Sequence, residues 1–214
     1  MYSKEWQLIA RSLSKALEAE RYPDGRTEDP YWRNIKDNTE RYGFVPTPFN
    51  DGLIRSFEIA ARAVLLEAEP FKVKFIDAGC GAGTIFPIAA AVGFRRIFGL
   101  DLDPTTIAMA ERMLKCLTGI IYPIQGQIIN HNIVTFADFG NYDVIYTYQP
   151  LKPFSDEGKE FYRNMRISMR KGSVAILDIN EQEFNDFAND STFKVLDNPA
   201  AGEGVVKKTK GNEK

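Results

Sequence analysis

The stretch FIDAGCGAGT, residues 75–84, decides how the rest of the chain is interpreted. A hydrophobic run ends at Asp77, and glycine then recurs in the spacing GxGxG at Gly79, Gly81 and Gly83. Glycine has no Cβ, so a ligand can approach the backbone closely, and it adopts dihedral angles closed to other residues. The pattern predicts a strand that turns tightly into a helix beside a ligand; a tight turn with a purely structural role is the alternative.

After this turn, short β-rich runs alternate with segments of helical periodicity. The predicted strands are Val73 to Asp77, Arg96 to Leu102, Gln127 to Ile133, Tyr142 to Tyr146 and Ser173 to Ile179. Asp103 is placed to cap the helix that begins at Pro104, and Ser155 is placed to cap a later helix that Gly172 would terminate. The alternation predicts an α/β protein with a doubly wound, mainly parallel sheet and helices on both faces.

The flanks of this region carry different patterns. Residues 5–21 have the apolar spacing of an amphipathic helix, and residues 26–50, broken by three prolines, predict an ordered cap. A second helix is expected after Asn50-Asp51. At the other end, residues 181–190 leave room for a short helix and 193–208 for a brief hairpin. We therefore expect an abbreviated end that opens one side of the sheet or leaves an edge for a partner.

Composition excludes several classes of protein. Acidic and basic residues are mixed and the formal net charge is −2, so no broad cationic field would attract nucleic acid or anionic lipid. The basic cluster Lys207, Lys208 and Lys210 is interpreted as a solvated, frayed tail. Cys80 and Cys116 lack metal-ligand spacing, and no apolar run is long enough to span a bilayer. We expect a cytoplasmic protein without a metal site.

The second predicted strand ends in another acidic residue. In RIFGLDLDP, residues 96–104, Asp101 follows the glycine turn by about twenty residues, where a carboxylate can accept both hydroxyls of a ribose. An exposed loop acid is the alternative interpretation of Asp101. Thr84 stands where a dinucleotide fingerprint would have its third glycine, which argues against a nicotinamide or flavin site.

These motifs resemble those of a known superfamily. FIDAGCGAGT looks like the first motif of class I S-adenosylmethionine-dependent methyltransferases, and FGLDLDP, residues 98–104, looks like the second. The resemblance implies a Rossmann-like fold, S-adenosylmethionine as cofactor, and methyl transfer to a protein side chain or small molecule. The resemblance spans roughly residues 70–180. Together with the patterns of the flanks, we expect an N-terminal helix and cap over residues 1–50 and a methyltransferase domain over 51–214.

The resemblance assigns cofactor roles residue by residue. The glycine loop would pack against the amino acid part of the cofactor, Asp77 would orient its methionine end, and Asp101 would hold the ribose. After the third strand Asn132 would bind the adenine, with His131 or Asp138 as substitutes. The full set of expected cofactor residues is Thr47, Asp77, Gly79, Cys80, Gly81, Gly83, Asp101, Leu102, Asn132, Ile133 and Tyr146.

Thr47 is included because YGFVPTPF, residues 42–49, is similar to a segment that precedes the first motif in several methyltransferases. Among them are proteins related to the ATP synthase c-subunit lysine methyltransferases. A rigid connector held by two prolines is the alternative for this segment.

The methyl acceptor is expected beside YDVIYTYQP, residues 142–150, because the end of this strand borders the reaction site in the superfamily. Tyr148 and Gln149 are the candidate acceptor contacts, although aromatic residues here also suit packing. The segment does not match the motif used on adenine or glutamine amines. Two other functions stay open: a non-catalytic cofactor-binding module and an NAD-dependent oxidoreductase.

Overall fold

The computed structural model describes residues 51–211, apart from 67, 121–122, 153 and 201. Its helices are α1 (Asp51–Leu65), α2 (Phe86–Ala91), α3 (Pro104–Ile120), α4 (Asp156–Ser168) and α5 (Glu181–Ala188). Its strands are β1 (Lys74–Ala78), β2 (Arg96–Asp101), β3 (Ile128–Asn130), β4 (Val144–Tyr148), β5 (Val174–Asp178), β6 (Phe193–Ala200) and β7 (Glu203–Lys208). The predicted helix over 5–21, the cap over 26–50 and Thr47 lie outside the described residues.

The strands form one sheet in the order β3-β2-β1-β4-β5-β7-β6. Strands β1 to β5 are parallel, and β7 runs antiparallel to both of its neighbours. The chain order reverses between β1 and β4, which is where open α/β sheets leave a crevice at the carboxyl ends of their strands. The predicted α/β class and mainly parallel sheet are confirmed.

The end of the chain is not abbreviated, contrary to expectation. The short helix α5 and the hairpin of β6 and β7 were predicted, but β7 pairs with β5 along the whole strand, from Val174↔Lys207 to Asp178↔Glu203. The hairpin therefore completes a seven-stranded sheet instead of opening one side of it. Hydrophobic spacing alone could not show this pairing because register depends on the partner strand.

Two lysines of the predicted frayed tail belong to β7, so that prediction was wrong for them. Lys208 is 1% exposed; its Nζ donates to the Arg166 carbonyl at 3.1 Å and lies 4.4 Å from the centre of the Phe193 ring. Burial lowers its pKa. A buried cation is tolerated here because a carbonyl and an aromatic face replace water.

Two helices begin where the sequence predicted. The Ser155 Oγ accepts the Gly158 N–H at 3.0 Å at the start of α4, and the Asp103 carboxylate accepts the Thr105 N–H at 2.7 Å at the start of α3. The apolar face of α3 is buried and consists of Ile107, Ala110, Leu114 and Leu117. Helix α4, however, ends at Ser168, and Gly172 lies in the following turn at φ +92°.

The side chains of each strand alternate between two apolar clusters. One cluster lies between the sheet and α1 and contains Phe57, Phe75, Val144, Tyr146, Val174, Ile176 and Val205. The other lies between the sheet and helices α4 and α5 and contains Ile76, Ile145, Ala175, Leu177, Val206, Phe161 and Phe184. None of the helices in the described ranges is both long and apolar enough to cross a membrane.

Replacing Phe57 by alanine should destabilise the fold strongly. The ring is fully buried, 5.6 Å from the Phe75 ring and 5.3 Å from the Tyr146 ring, so its loss leaves a cavity under α1. We expect the free energy of unfolding in urea to fall by about 3–5 kcal/mol. Phe71→Ala is the matched control, because Phe71 is 44% exposed. Equal losses in both variants would contradict the packing described above.

Candidate active site

The glycine turn after β1 is left-handed at each glycine of the motif. Gly79, Gly81 and Gly83 have φ values of +84°, +50° and +75°. The Gly79 N–H donates to the Leu100 carbonyl at 2.8 Å, and a Cβ at Gly79 would lie 2.5 Å from the Pro150 Cβ. A Cβ at Gly81 would meet no heavy atom within 4 Å. The turn is thus pressed against the loop after β4 on one side and open on the other.

Asp101 at the end of β2 ties this turn to the start of α3. Its Oδ2 accepts the Gly81 N–H at 2.8 Å. Its Oδ1 accepts the backbone N–H groups of Leu102 at 2.8 Å and Asp103 at 3.0 Å, and the Thr106 hydroxyl at 3.3 Å. Three backbone donors fix the carboxylate, and Oδ2, with its single donor, retains a free lone pair for a ligand hydroxyl.

Asp77 is a buried carboxyl group beside Asp101. It is 3% exposed, and β1 places it in register with Gly99 of β2 and Tyr146 of β4. Burial, together with the negative charge of Asp101, raises the pKa of Asp77 well above its usual value. A cationic ligand at this place would relieve both effects.

Two neighbours complete this side of the site. Cys80 is 4% exposed, and burial, then the charges of Asp77 and Asp101, raise the pKa of its thiol. The thiol is therefore protonated and acts as a packing group under the turn. Leu102, next to Asp101, is 59% exposed, an unusual position for a large apolar side chain that suits a planar ligand ring.

The turn after β3 lies beside the end of β2, since Asn130 is in register with Asp101. The Asn132 Oδ1 accepts the Val134 N–H at 2.9 Å, so this side chain shapes the turn. Ile133 is buried at 8% exposure, whereas His131 is exposed. The structure brings Asn132 and Ile133 to the same sheet edge as Asp101, as the adenine assignment requires.

Strand β4 ends two residues later than predicted. Tyr146 was expected among the cofactor residues, but it is 1% exposed and packs in the α1 cluster, so its side chain belongs to the core. Tyr148 is half-buried at the last strand position. Gln149 is exposed at φ +33°, and its N–H donates to the Asp178 carbonyl at 3.1 Å.

Sequence reasoning missed two carboxyl groups beside Tyr148. Asp178 ends β5 in register with Tyr148, and Glu203 begins β7 in register with Asp178. Burial, with the charge of Glu203, raises the pKa of Asp178 to about 6. Asp178 carried the same signal as Asp77 and Asp101, an acid at a strand end; Glu203 carried none, because it meets this edge only through the antiparallel hairpin.

A third buried acid, Glu183, lies at the start of α5. The Asn180 side chain caps this helix by accepting the Glu183 N–H at 3.0 Å and donating to the Glu183 Oε2. Glu183 is 7% exposed, and within the described ranges its Oε1 has no hydrogen-bond partner. Burial and then the charge of Asp186 raise its pKa to about 7, although Asn180 and Lys159 act in the opposite direction.

Residues 76–177 match a family model described as a methyltransferase domain. This match spans 102 of the 214 residues, so this segment is similar to a methyltransferase domain. The description of this family model supports a methyltransferase function for the chain. The matched segment runs from β1 to β5 and contains the glycine turn, Asp101 and the end of β4.

Solved structures show the same fold at low sequence identity. Magnesium protoporphyrin IX methyltransferase from Synechocystis PCC 6803, with bound S-adenosylmethionine, is 13% identical, with TM-score 0.55 over 86% of this chain and 100% of that one. A ribosomal protein L11 methylase from Lactobacillus delbrueckii is 13% identical, with TM-score 0.51 over 73% and 79%. A TehB-like methyltransferase from Corynebacterium glutamicum is 16% identical, with TM-score 0.50 over 94% and 99%. No curated protein sequence matches the chain.

In this methyltransferase the residues predicted from the first and second motifs meet at one edge of the sheet. Asp77, the glycine turn, Asp101 and Leu102 surround the ends of β1 and β2, while Tyr148 and Gln149 stand at the end of β4. The loop after β4 touches the glycine turn through Pro150. Among the described residues, no group of three or more potential metal ligands is assembled.

Gly79 and Gly81 should respond differently to an added methyl group. Gly81→Ala should destabilise the protein by about 1–2 kcal/mol, the usual cost of a Cβ in the left-handed region. Gly79→Ala should cost clearly more, because its Cβ would also overlap Pro150. Urea unfolding of the ligand-free protein measures both. If the two losses are the same, Pro150 does not press on the turn.

Glu183 should make the methyltransferase less stable as the pH rises. Between its ordinary pKa of 4.5 and its folded value of about 7, the folded protein keeps a proton that the unfolded chain has lost. The contribution of Glu183 to the free energy of unfolding is therefore fully present below pH 4.5 and is lost as the pH rises to about 7. Asp186, Lys159 and Tyr162 are the titratable groups around it.

The test compares Glu183→Gln with the wild type by urea unfolding at pH about 5 and about 8. Glutamine keeps the helix cap and has no proton to lose, so the variant should gain stability relative to the wild type at the higher pH. Glu181→Gln, an exposed neighbour on α5, is the control and should show no such gain. A constant difference at both pH values would contradict the raised pKa.

Proposed function

We propose that this methyltransferase holds S-adenosylmethionine between Asp77, the glycine turn and Asp101, and transfers its methyl group to an acceptor at the ends of β4 and β5. The acceptor is a protein side chain or a small molecule. One observation carries the cofactor assignment: Asp77 is buried beside Asp101. Burial and the second negative charge both raise the pKa of Asp77, and a bound cation would offset both effects. S-adenosylmethionine carries two positive groups, an ammonium and a sulfonium.

The described residues fit each part of this molecule. Asp77 would pair with the ammonium of the methionine end, and the free lone pair of Asp101 would accept a ribose hydroxyl. The open side of Gly81 leaves room for close approach to the backbone. Exposed Leu102 would cover one face of the adenine, with Asn132 and Ile133 at its edge. Thr47 stays a prediction from the sequence.

When bound, S-adenosylmethionine supplies an activated methyl group on a positively charged sulfur. The main role of the protein is then to position the acceptor. An acceptor atom that is aligned with the methyl group and shielded from water reacts far faster than the same atom free in solution. Tyr148 and Gln149 are the proposed acceptor contacts. The left-handed backbone of Gln149, a residue that rarely adopts it, is the kind of strain that occurs at functional sites.

Isothermal titration calorimetry with S-adenosylmethionine and S-adenosylhomocysteine tests the cofactor site. Asp77→Asn should weaken both ligands by roughly 10- to 100-fold, the usual loss for a hydrogen bond to a charged group. The same substitution should stabilise the free protein, because it removes a buried carboxyl group from beside Asp101. Asp101→Asn should weaken binding similarly, and Asp186→Asn, a matched change at an exposed position, should leave it unchanged.

Failure of the wild type to bind either ligand, in a sample shown to be folded by circular dichroism, would sink the proposal. Tighter binding of NAD than of S-adenosylmethionine would instead favour an oxidoreductase. Normal binding by Asp77→Asn would show that this carboxyl group does not face the methionine end.

A further inference from the structure

We propose that Asp178 is a catalytic residue that takes a proton from the acceptor, and that the acceptor atom is an amine nitrogen. This inference rests on the proposed function and names the substrate class of the same site. It begins with the direction of side chains along the strands that surround Tyr148.

The alternation of the sheet places Asp178 on the same face as Asp77. Phe75, Tyr146, Ile176 and Val205 all belong to the cluster under α1. Side chains two positions farther along a strand point to the same face. Asp77, Tyr148 and Asp178 each lie two positions toward the carboxyl end of their strands, and Glu203 lies two positions before Val205 on the antiparallel strand. These four groups therefore share one face and one edge of the sheet.

Strand register brings three of these groups side by side. Tyr148 is paired with Asp178, and Asp178 is paired with Glu203. The Gln149 N–H, donating to the Asp178 carbonyl at 3.1 Å, extends the β4–β5 contact one residue beyond the strand. Pro150, the next residue after Gln149, touches Gly79. Asp178 therefore lies near the place where the end of β4 meets the glycine turn.

Asp178 has no structural task that would explain a half-buried carboxylate. The cap of α5 is Asn180, and none of the described residues donates a hydrogen bond to the Asp178 side chain. Burial and the charge of Glu203 both act to raise its pKa, and no cation among the described residues compensates them. A half-buried acid without a donor or a cation is in a costly position, which a bound cationic group would relieve.

This arrangement selects a class of acceptor. An ammonium group between Asp178 and Glu203 would neutralise two carboxylates that now repel each other, and the Tyr148 ring would lie beside it. A carboxylate acceptor would add a third negative charge to the same place. Amines are therefore favoured over carboxylic acids, whatever the size of the molecule that carries them.

The proposed proton transfer completes the chemistry of an amine acceptor. A protonated amine gives one proton to the Asp178 carboxylate, which frees the nitrogen lone pair. The nitrogen then bonds to the methyl carbon as the carbon–sulfur bond breaks and leaves its electron pair on sulfur. The products are a methylated ammonium and S-adenosylhomocysteine. Asp178, which is only half-buried, returns its proton to water.

The experiment uses two pairs of probes matched in size and opposite in charge: tyramine with 3-(4-hydroxyphenyl)propionate, and butylamine with butyrate. Transfer of a labelled methyl group from S-adenosylmethionine is measured for each probe. The amines should accept the label and the acids should not. Asp178→Asn should lower the rate about 100-fold, the usual loss of a general base, while S-adenosylhomocysteine affinity stays within about threefold of the wild type.

The pH profile separates proton transfer from a structural role. Glu203, Tyr148 and Tyr162 are the titratable groups around Asp178. Wild-type transfer should level off above pH about 6, where Asp178 is ionised. In Asp178→Asn the rate should keep rising with pH, because only amine already neutral in solution can react. Asp178→Glu should recover part of the activity, and Asp186→Asn should match the wild type. With S-adenosylhomocysteine bound, tyramine should also lower the pKa of Asp178 measured by carboxyl carbon NMR.

Three results would overturn the inference. Asp178→Asn could react at the wild-type rate, acids and amines could be labelled equally, or tyramine could leave the pKa of the Asp178 carboxyl group unchanged. Each of these outcomes leaves cofactor binding intact and so spares the proposed function. Absence of S-adenosylhomocysteine binding to the wild type would overturn the proposed function itself, and with it the basis of this inference.

Discussion

The hydrogen bond from the Gly81 N–H to the Asp101 carboxylate is the contact on which the site depends. It joins the turn after β1 to the end of β2, and the same carboxylate holds the first residues before α3. Both strands are parallel, so their carboxyl ends meet at one edge and a single acidic side chain can fix two loops. Both this hydrogen bond and the absence of Cβ atoms fix the conformation of the glycine turn.

Excess negative charge runs along the same edge. Asp77 faces Asp101 at the cofactor side, and Asp178 faces Glu203 at the acceptor side. In each pair burial and repulsion disfavour the charged forms, so each pair costs stability while no cation is bound. Functional sites commonly contain such destabilising groups, because the binding of a ligand of opposite charge offsets the loss of folding free energy. In the proposed reaction, the first pair would hold the cationic cofactor and the second pair a cationic acceptor.

The motifs of the sequence predicted one pair and missed the other. Asp77 and Asp101 stand in recognisable patterns of glycine and strand, and the structure brings them together as expected. Asp178 also ends a strand, but no glycine pattern or other motif marked it. Tyr146 and Tyr148 could not be separated by sequence, because they lie two positions apart on the same face of β4 and differ only in how close they stand to the end of the strand.

The sequence by itself determined the α/β class, the helix caps at Asp103 and Ser155, and the cofactor turn, because each depends on residues near one another in the chain. Only the tertiary structure decided how the chain ends. The hairpin of β6 and β7 pairs with β5, which buries Lys208 and carries Glu203 to Asp178. Antiparallel pairing between segments about 25 residues apart follows from register and packing, and no local pattern of residues encodes it.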